Sequence, residues 1–229
     1  MALLLNINTA TEHASVCLSN NGQVVTMLES QDQKNHGAFL QPAIQQLCLT
    51  AHVQLSQLDA IAVTEGPGSY TGLRVGLASA KGLCYALKKP LIALNTLKVM
   101  AAASLQHTKL EHLDTTTLFC PMIDARRMEV FTALYTSNLQ EAMPPSALIL
   151  TTGSFQDELA FSTIVFSGNG SLKCSQLIQH PNAQYNLISQ NASHMISLAE
   201  AAFDKKIFAD LAYSEPFYLK EFYSPALKH

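Results

Sequence analysis

Residues 65–82, EGPGSYTGLRVGLASAKG, constrain this chain more than any other stretch, because they run a strand through a glycine turn into the start of a helix. Such a junction gathers unpaired backbone N–H groups and the positive end of a helix dipole at one point. Gly66 and Gly68 permit backbone angles that a side chain forbids, Pro67 stiffens the turn, and Ser69 is placed to cap the helix with its hydroxyl. The turn is not a Walker P-loop, since no Gly-Lys-Ser/Thr follows Gly72. Nor is it a nucleophile elbow, because Ser69 directly follows Gly68 instead of standing in Gly-x-Ser-x-Gly. A bare turn of this kind is structural more often than it is a ligand loop.

The helix beyond it carries Gly72, Gly76 and Ala80 at four-residue spacing, beside an apolar stripe of Leu73, Leu77, Ala80, Cys84 and Leu87. A glycine inside a helix costs about 1 kcal/mol relative to alanine, so the pair calls for a compensating close approach. The approaching element is either a helix of the same chain or a helix of another subunit.

The composition, 48% hydrophobic and 14% charged, leaves apolar surface for a partner to cover. A formal net charge of −3 provides no basic footprint for gripping nucleic acid by phosphate neutralisation, so any RNA contact is expected through another subunit. Cys17, Cys48, Cys84, Cys120 and Cys174 are scattered and form no C-x-x-C pair, which favours buried thiols in a reducing compartment over disulfides or zinc. The run Ala2–Leu5 is too short for a signal segment and no stretch reaches the length of a membrane span, so a cytoplasmic location is expected.

Periodicity predicts strands at Leu3–Ile7, Ala14–Leu18 and Val24–Leu28, the last two forming a hairpin about Asn20-Asn21-Gly22. A helix from His36 to about Ala51 follows, with Pro42 kinking it or marking its first turns. Next come a strand at Ile61–Thr64, a helix at Ser69–Leu87, a strand at Leu91–Leu94 and a helix at Thr96–Leu105. A similar order restarts with strands at Leu118–Ile123, Val130–Tyr135 and Ala147–Leu150, a helix at Ser154–Leu159, a strand at Ile164–Ser167, a Gly168-Asn169-Gly170 turn and a helix at Ser193–Lys206. Two such halves predict an α/β fold of two lobes facing across a cleft, residues 1–106 and 107–229, with packing of the terminal segment back on the first lobe as one option. The aromatic tail Glu215–Tyr223 is expected to dock back onto the body.

Several segments together resemble the TsaB (YeaZ) family of bacterial tRNA threonylcarbamoyladenosine biosynthesis proteins. They are Leu5–Thr11 (LNINTAT), His36–Pro42 (HGAFLQP), the 65–82 segment, Asp124–Val130 (DARRMEV) and Pro216–Lys220 (PFYLK). The resemblance runs over nearly the whole chain. It implies the two-lobed actin-like ATPase fold, and a scaffold role beside a metal-binding catalytic paralogue, TsaD, and a small ATPase, TsaE, in transferring threonylcarbamoyl to N6 of the adenosine beside the tRNA anticodon. On this reading the chain needs no cofactor of its own, ATP and metal belong to the partners, and tRNA is met only through the complex. Docking to TsaD, or to a second copy, is expected through His36, Phe39, Leu40, Ser69, Tyr70, Gly72, Leu73, Arg74 and Gly76. A weak or vestigial nucleotide site is expected at Asn8, Thr9, Gly66, Gly68, Gly168 and Gly170.

Two departures bear on activity. The resemblance implies a His-x-x-x-His metal pair in the catalytic paralogue where this chain has Thr96 and Met100, neither of which replaces a neutral imidazole. Asn8 stands where relatives keep an aspartate that attracts hydrated Mg²⁺, and is read here as a turn residue bonding nearby backbone. The alternative is an independent nucleotide-dependent enzyme of the actin-like superfamily, supported by the two glycine turns and opposed by Asn8. A peptidase reading fails for want of a metal pair, a nucleophile elbow or a base beside Ser69.

Overall fold

The computed structural model describes residues 2–32, 35–108 and 116–220. The first lobe is built on strands β1 (Leu3–Asn8), β2 (Ala14–Asn20), β3 (Gln23–Ser30), β4 (Ala60–Gly66) and β5 (Leu91–Asn95), in the spatial order β3-β2-β1-β4-β5. Helices α1 (His36–Thr50), α2 (Tyr70–Leu87) and α3 (Thr96–His107) connect or follow them. The second sheet, from β6 (Leu118–Asp124), β7 (Glu129–Thr136), β8 (Glu141–Ile149), β9 (Ile164–Ser167) and β10 (Ala183–Asn186), has the order β10-β9-β6-β7-β8. Read from its other edge, this is the same arrangement: an antiparallel meander of three strands with two parallel strands added beside the first. Short helices α4 (Gln156–Leu159) and α5 (Ser171–Leu177) belong to the second lobe, and α6 (Ile196–Asp204) follows a 3-10 turn at Ala192–Met195.

The two-residue period of the strands explains the layers. In β1, Leu5 and Ile7 join the core beneath α1 and α2, while Leu4 points to the opposite face with Ala60, Ala62 and Ile92. Both faces are covered, so β1 and β4 read as nearly unbroken apolar runs. Each fully buried Leu or Ile contributes about 1.5–3 kcal/mol to this packing. The β2–β3 hairpin turns at Asn21 and Gly22, both with positive φ (50° and 73°), the twist-matched form for a two-residue loop.

Four sequence expectations are corrected. The strand expected at Ala147–Leu150 spans Glu141–Ile149, with Pro144 and Pro145 inside it; they fall at a break in the β7–β8 register on the edge of the sheet, where their missing N–H groups are tolerated. Helix α5 and strand β10 were not foreseen. The helix expected at Ser193–Lys206 is a 3-10 turn followed by α6. Finally, the segment from Ala192 onward leaves the second sheet: Ala192, Met195, Ile196 and Ala199 pack with Leu4, Ala62 and Ile92 of the first lobe. Helix α3 touches both sheets, and Pro42 lies within a continuous α1.

Candidate functional site, the interlobe cleft

The cleft between the lobes has a volume of about 660 Å³ and is lined by Thr11 and Glu12 after β1, by Ser69 and Tyr70 at the start of α2, and by Asp124 and Arg126 after β6, among others. Ser69 is the cap the sequence predicts: its Oγ accepts from the Gly72 N–H at 3.3 Å, and its own N–H donates to the Ala10 carbonyl at 2.7 Å. The glycine turn is thereby tied to the β1–β2 loop.

At each glycine expected to face a nucleotide, a side chain would meet protein, although Gly68 itself lines the cleft. A Cβ on Gly66, whose φ is 127°, would collide with the Phe217 carbonyl, and one on Gly68 with the Ala10 carbonyl. At Gly168 the obstruction would be the Met100 methyl and the Met122 carbonyl; at Gly170 it would be the Val130 and Met122 side chains, 2.9 and 3.0 Å away. Asn8 and Thr9 are fully buried below the cleft. The Asn8 Oδ1 accepts from the Ala10 N–H at 3.2 Å and the Thr64 hydroxyl at 3.3 Å, the backbone-bonding role read from the sequence.

The expected docking residues divide in two. Leu40 and Leu73 are fully buried core residues; His36 is buried and its Nε2 meets the Thr11 carbonyl at 3.0 Å; Phe39 is half-buried. Gly72 and Gly76 are buried against the Thr9 carbonyl and the Thr9 hydroxyl. Gly72, Leu73, Gly76, Leu40 and His36 are therefore corrected: the close approach that the small-residue stripe serves is made inside the lobe, by the β1–β2 loop and α1, and not by another subunit. Ser69, Tyr70 and Arg74 remain accessible. The outward face of α2 carries Thr71, Arg74, Ala78, Gly82 and Tyr85, and that of α1 carries Gln41, Gln45 and Leu49. Between the two helices runs a groove whose lining includes Pro42, Cys48, Leu49, Val53 and Leu83 and no charged side chain.

A polar chain crosses the cleft that the sequence alone did not signal. Asn169 Nδ2 donates to Glu12 Oε1 at 3.0 Å, Asn169 Oδ1 accepts from the Asp124 N–H at 2.9 Å, and Lys173 Nζ lies 2.6 Å from Asp124. Arg126 and Arg127 hold the left-handed region (φ 70° and 49°) in the β6–β7 turn, with the Arg126 N–H donating to Asp124 Oδ1. Thr96 and Met100 are buried one turn apart on α3, Met100 pressing on Gly168. Burial pushes the thiols of Cys84 and Cys174 up to about 11 and that of Cys17 to about 12, away from the range of a reactive nucleophile.

Two lobes of like topology closing on a cleft define an actin-like ATPase fold. The chain aligns with the inorganic polyphosphate/ATP-glucomannokinase of Arthrobacter sp. strain KM at a TM-score of 0.50 and 9% identity over 89% of this chain and all of that one, a likeness of fold alone. With YeaZ from Pseudomonas aeruginosa the TM-score is 0.82 at 26% identity, over 96% of this chain and 100% of that structure. Residues 26–223 match the family described as "TsaD: tRNA N6-adenosine threonylcarbamoyltransferase". A Bacillus subtilis (strain 168) relative, "tRNA threonylcarbamoyladenosine biosynthesis protein TsaB", is 28% identical over 95% of this chain and 93% of its own length. The chain belongs to this family and, with matches running end to end along them, to its TsaB (YeaZ) members. No helix among the described residues is long and apolar enough to cross a membrane.

Proposed function

We propose that the chain acts in tRNA threonylcarbamoyladenosine biosynthesis as a non-catalytic subunit that docks the threonylcarbamoyl-transferring paralogue, with the small ATPase completing the set. The observation that carries the non-catalytic reading is the neutral amide at the end of β1, beside a turn whose Gly66 and Gly68 pack against the Phe217 and Ala10 carbonyls. Asn8, buried and bonded to Ala10 and Thr64, supplies no charge to attract Mg²⁺. Thr96 and Met100 stand where the resemblance implies histidine ligands in the catalytic paralogue. ATP and metal then belong to the partners, and tRNA is engaged through the assembled complex.

Docking uses the outward faces of α1 and α2 and the uncharged groove between them, with Leu49 and Tyr85 exposed at 62% and 81%. The same face would serve a second copy when the paralogue is absent. Exposed aromatic and leucine side chains around an uncharged groove suit a partner helix better than they suit nucleic acid.

The test is reconstitution. The purified chain, given threonylcarbamoyl-adenylate, substrate tRNA and iron or zinc, should form no modified nucleoside until the paralogue is added. Robust product from the chain alone would overturn the proposal.

A further inference from the structure

We propose that Glu215–Lys220 is a releasable strap that clasps the two lobes together and covers the glycine turn at the mouth of the cleft. The segment and the residue before it are tied to the first lobe at three points. Lys81 Nζ on α2 donates to the Ser214 carbonyl at 2.8 Å, just before the strap. The Phe217 N–H donates to the Glu65 carbonyl at 2.7 Å. The Tyr218 ring stacks on Tyr70 with centroids 5.2 Å apart, and its hydroxyl accepts from Arg74 Nε at 3.1 Å, while the Arg74 guanidinium lies 4.2 Å over the Tyr70 ring. Two residues further on, Lys220 Nζ reaches the Glu129 carboxylate of β7 in the other lobe at 2.6 Å. Six residues thus bridge from the end of β4 and the start of α2 to the second sheet.

The fit is written into Gly66. Its φ of 127° is open to glycine, and the absence of a side chain there leaves the space into which the Phe217 carbonyl of the strap lodges. Burial also raises the Glu65 carboxyl above its usual range, as expected for a strand end under cover.

The attachment is shallow. Phe217 and Tyr218 keep 39% and 37% of their surface exposed, and Lys220 pairs with Glu129 while its own side chain is half in solvent. Stacked rings at the surface and one exposed ion pair are weaker than the apolar layers of either lobe, so the strap comes off without unfolding them. Release bares Gly66 and the stacked face of Tyr70 and removes the contact that Lys220 makes between the lobes.

Hydrogen exchange of the full chain, followed by mass spectrometry, tests this. Tyr218→Ala combined with Lys220→Ala should speed exchange about tenfold in peptides covering 65–74 and 124–129, with β1 unchanged. Lys220→Glu should speed the same peptides, and adding Glu129→Lys should restore slow exchange by re-forming the pair in reverse. Acceleration spread evenly over both lobes, acceleration on one lobe only, no acceleration, or failure of the charge swap to restore protection would each overturn the strap.

Discussion

The Thr9 hydroxyl donates to the Gly72 carbonyl at 2.7 Å across 63 residues of sequence, and the same hydroxyl fills the space where Gly76 would carry a Cβ. Thr9, just past β1, therefore dictates two glycines of α2, Gly76 through its hydroxyl and Gly72 through its backbone carbonyl. Thr9 cannot swing aside without giving up that bond.

Gly76→Ala should accordingly destabilise the chain by about 1–2 kcal/mol, although alanine is favoured over glycine in a helix by about 1 kcal/mol. Gly82, on the same helix, has nothing within 4 Å of its missing Cβ and is exposed. Gly82→Ala should stabilise by about 0.5–1 kcal/mol. Urea midpoints of the two variants should move in opposite directions, and adding Thr9→Ala should recover part of the Gly76→Ala loss.

Leu73 is fully buried, so Leu73→Ala should cost about 2–5 kcal/mol and Leu73→Glu should unfold the chain. Leu49→Glu, on the exposed face of α1, should leave the melting temperature within a few degrees of the parent and abolish association with the paralogue. Thermal melting with size-exclusion chromatography of the mixed proteins separates the two. A folded Leu49→Glu that still forms the complex would place docking elsewhere.

Cys48 provides an internal reporter of the same face. Four of the five cysteines are buried and Cys48 is half-exposed in the groove between α1 and α2. A maleimide at neutral pH should label one thiol per native chain, slowly, since burial raises the Cys48 thiol above its ordinary range. Complex formation should suppress that labelling, which intact-mass measurement would follow.

His194 sets a pH dependence. Its Nδ1 accepts from the Asn191 N–H at 3.0 Å, leaving Nε2 to donate toward His107 Nε2 at 3.4 Å. Burial first, and the neighbouring His107 second, lower its pKa below the ordinary 6.5; Glu29 opposes this more weakly. The folded state therefore binds fewer protons than the unfolded chain just below 6.5, so the stability this histidine gives is complete above that pH and declines as pH falls toward the lowered value. His194→Asn, which keeps an acceptor for the Asn191 N–H, should flatten melting temperature against pH in that window. An unchanged slope would assign the acid sensitivity to other groups.

Local pattern alone determined much of this protein. Alternation in Leu3–Asn8 and Ala60–Gly66, the Asn21-Gly22 turn and the Ser69 cap each act within a few residues, so the first lobe and the strand-turn-helix at its centre could be read directly. The edge strands β8 and β10 were harder, because Pro144, Pro145 and the polar Gln184 and Asn186 are tolerated only where no further strand pairs or covers them. Which neighbours the glycines of α2 serve, that α6 returns to the first sheet, and that Phe217 settles on Gly66 were decided by tertiary structure. Such contacts join residues far apart in the chain, 63 positions for Thr9 with Gly72 and 178 for Gly22 with Glu200, and nothing local matches one partner to the other. A glycine stripe records that something comes close; only the folded chain supplies what it is.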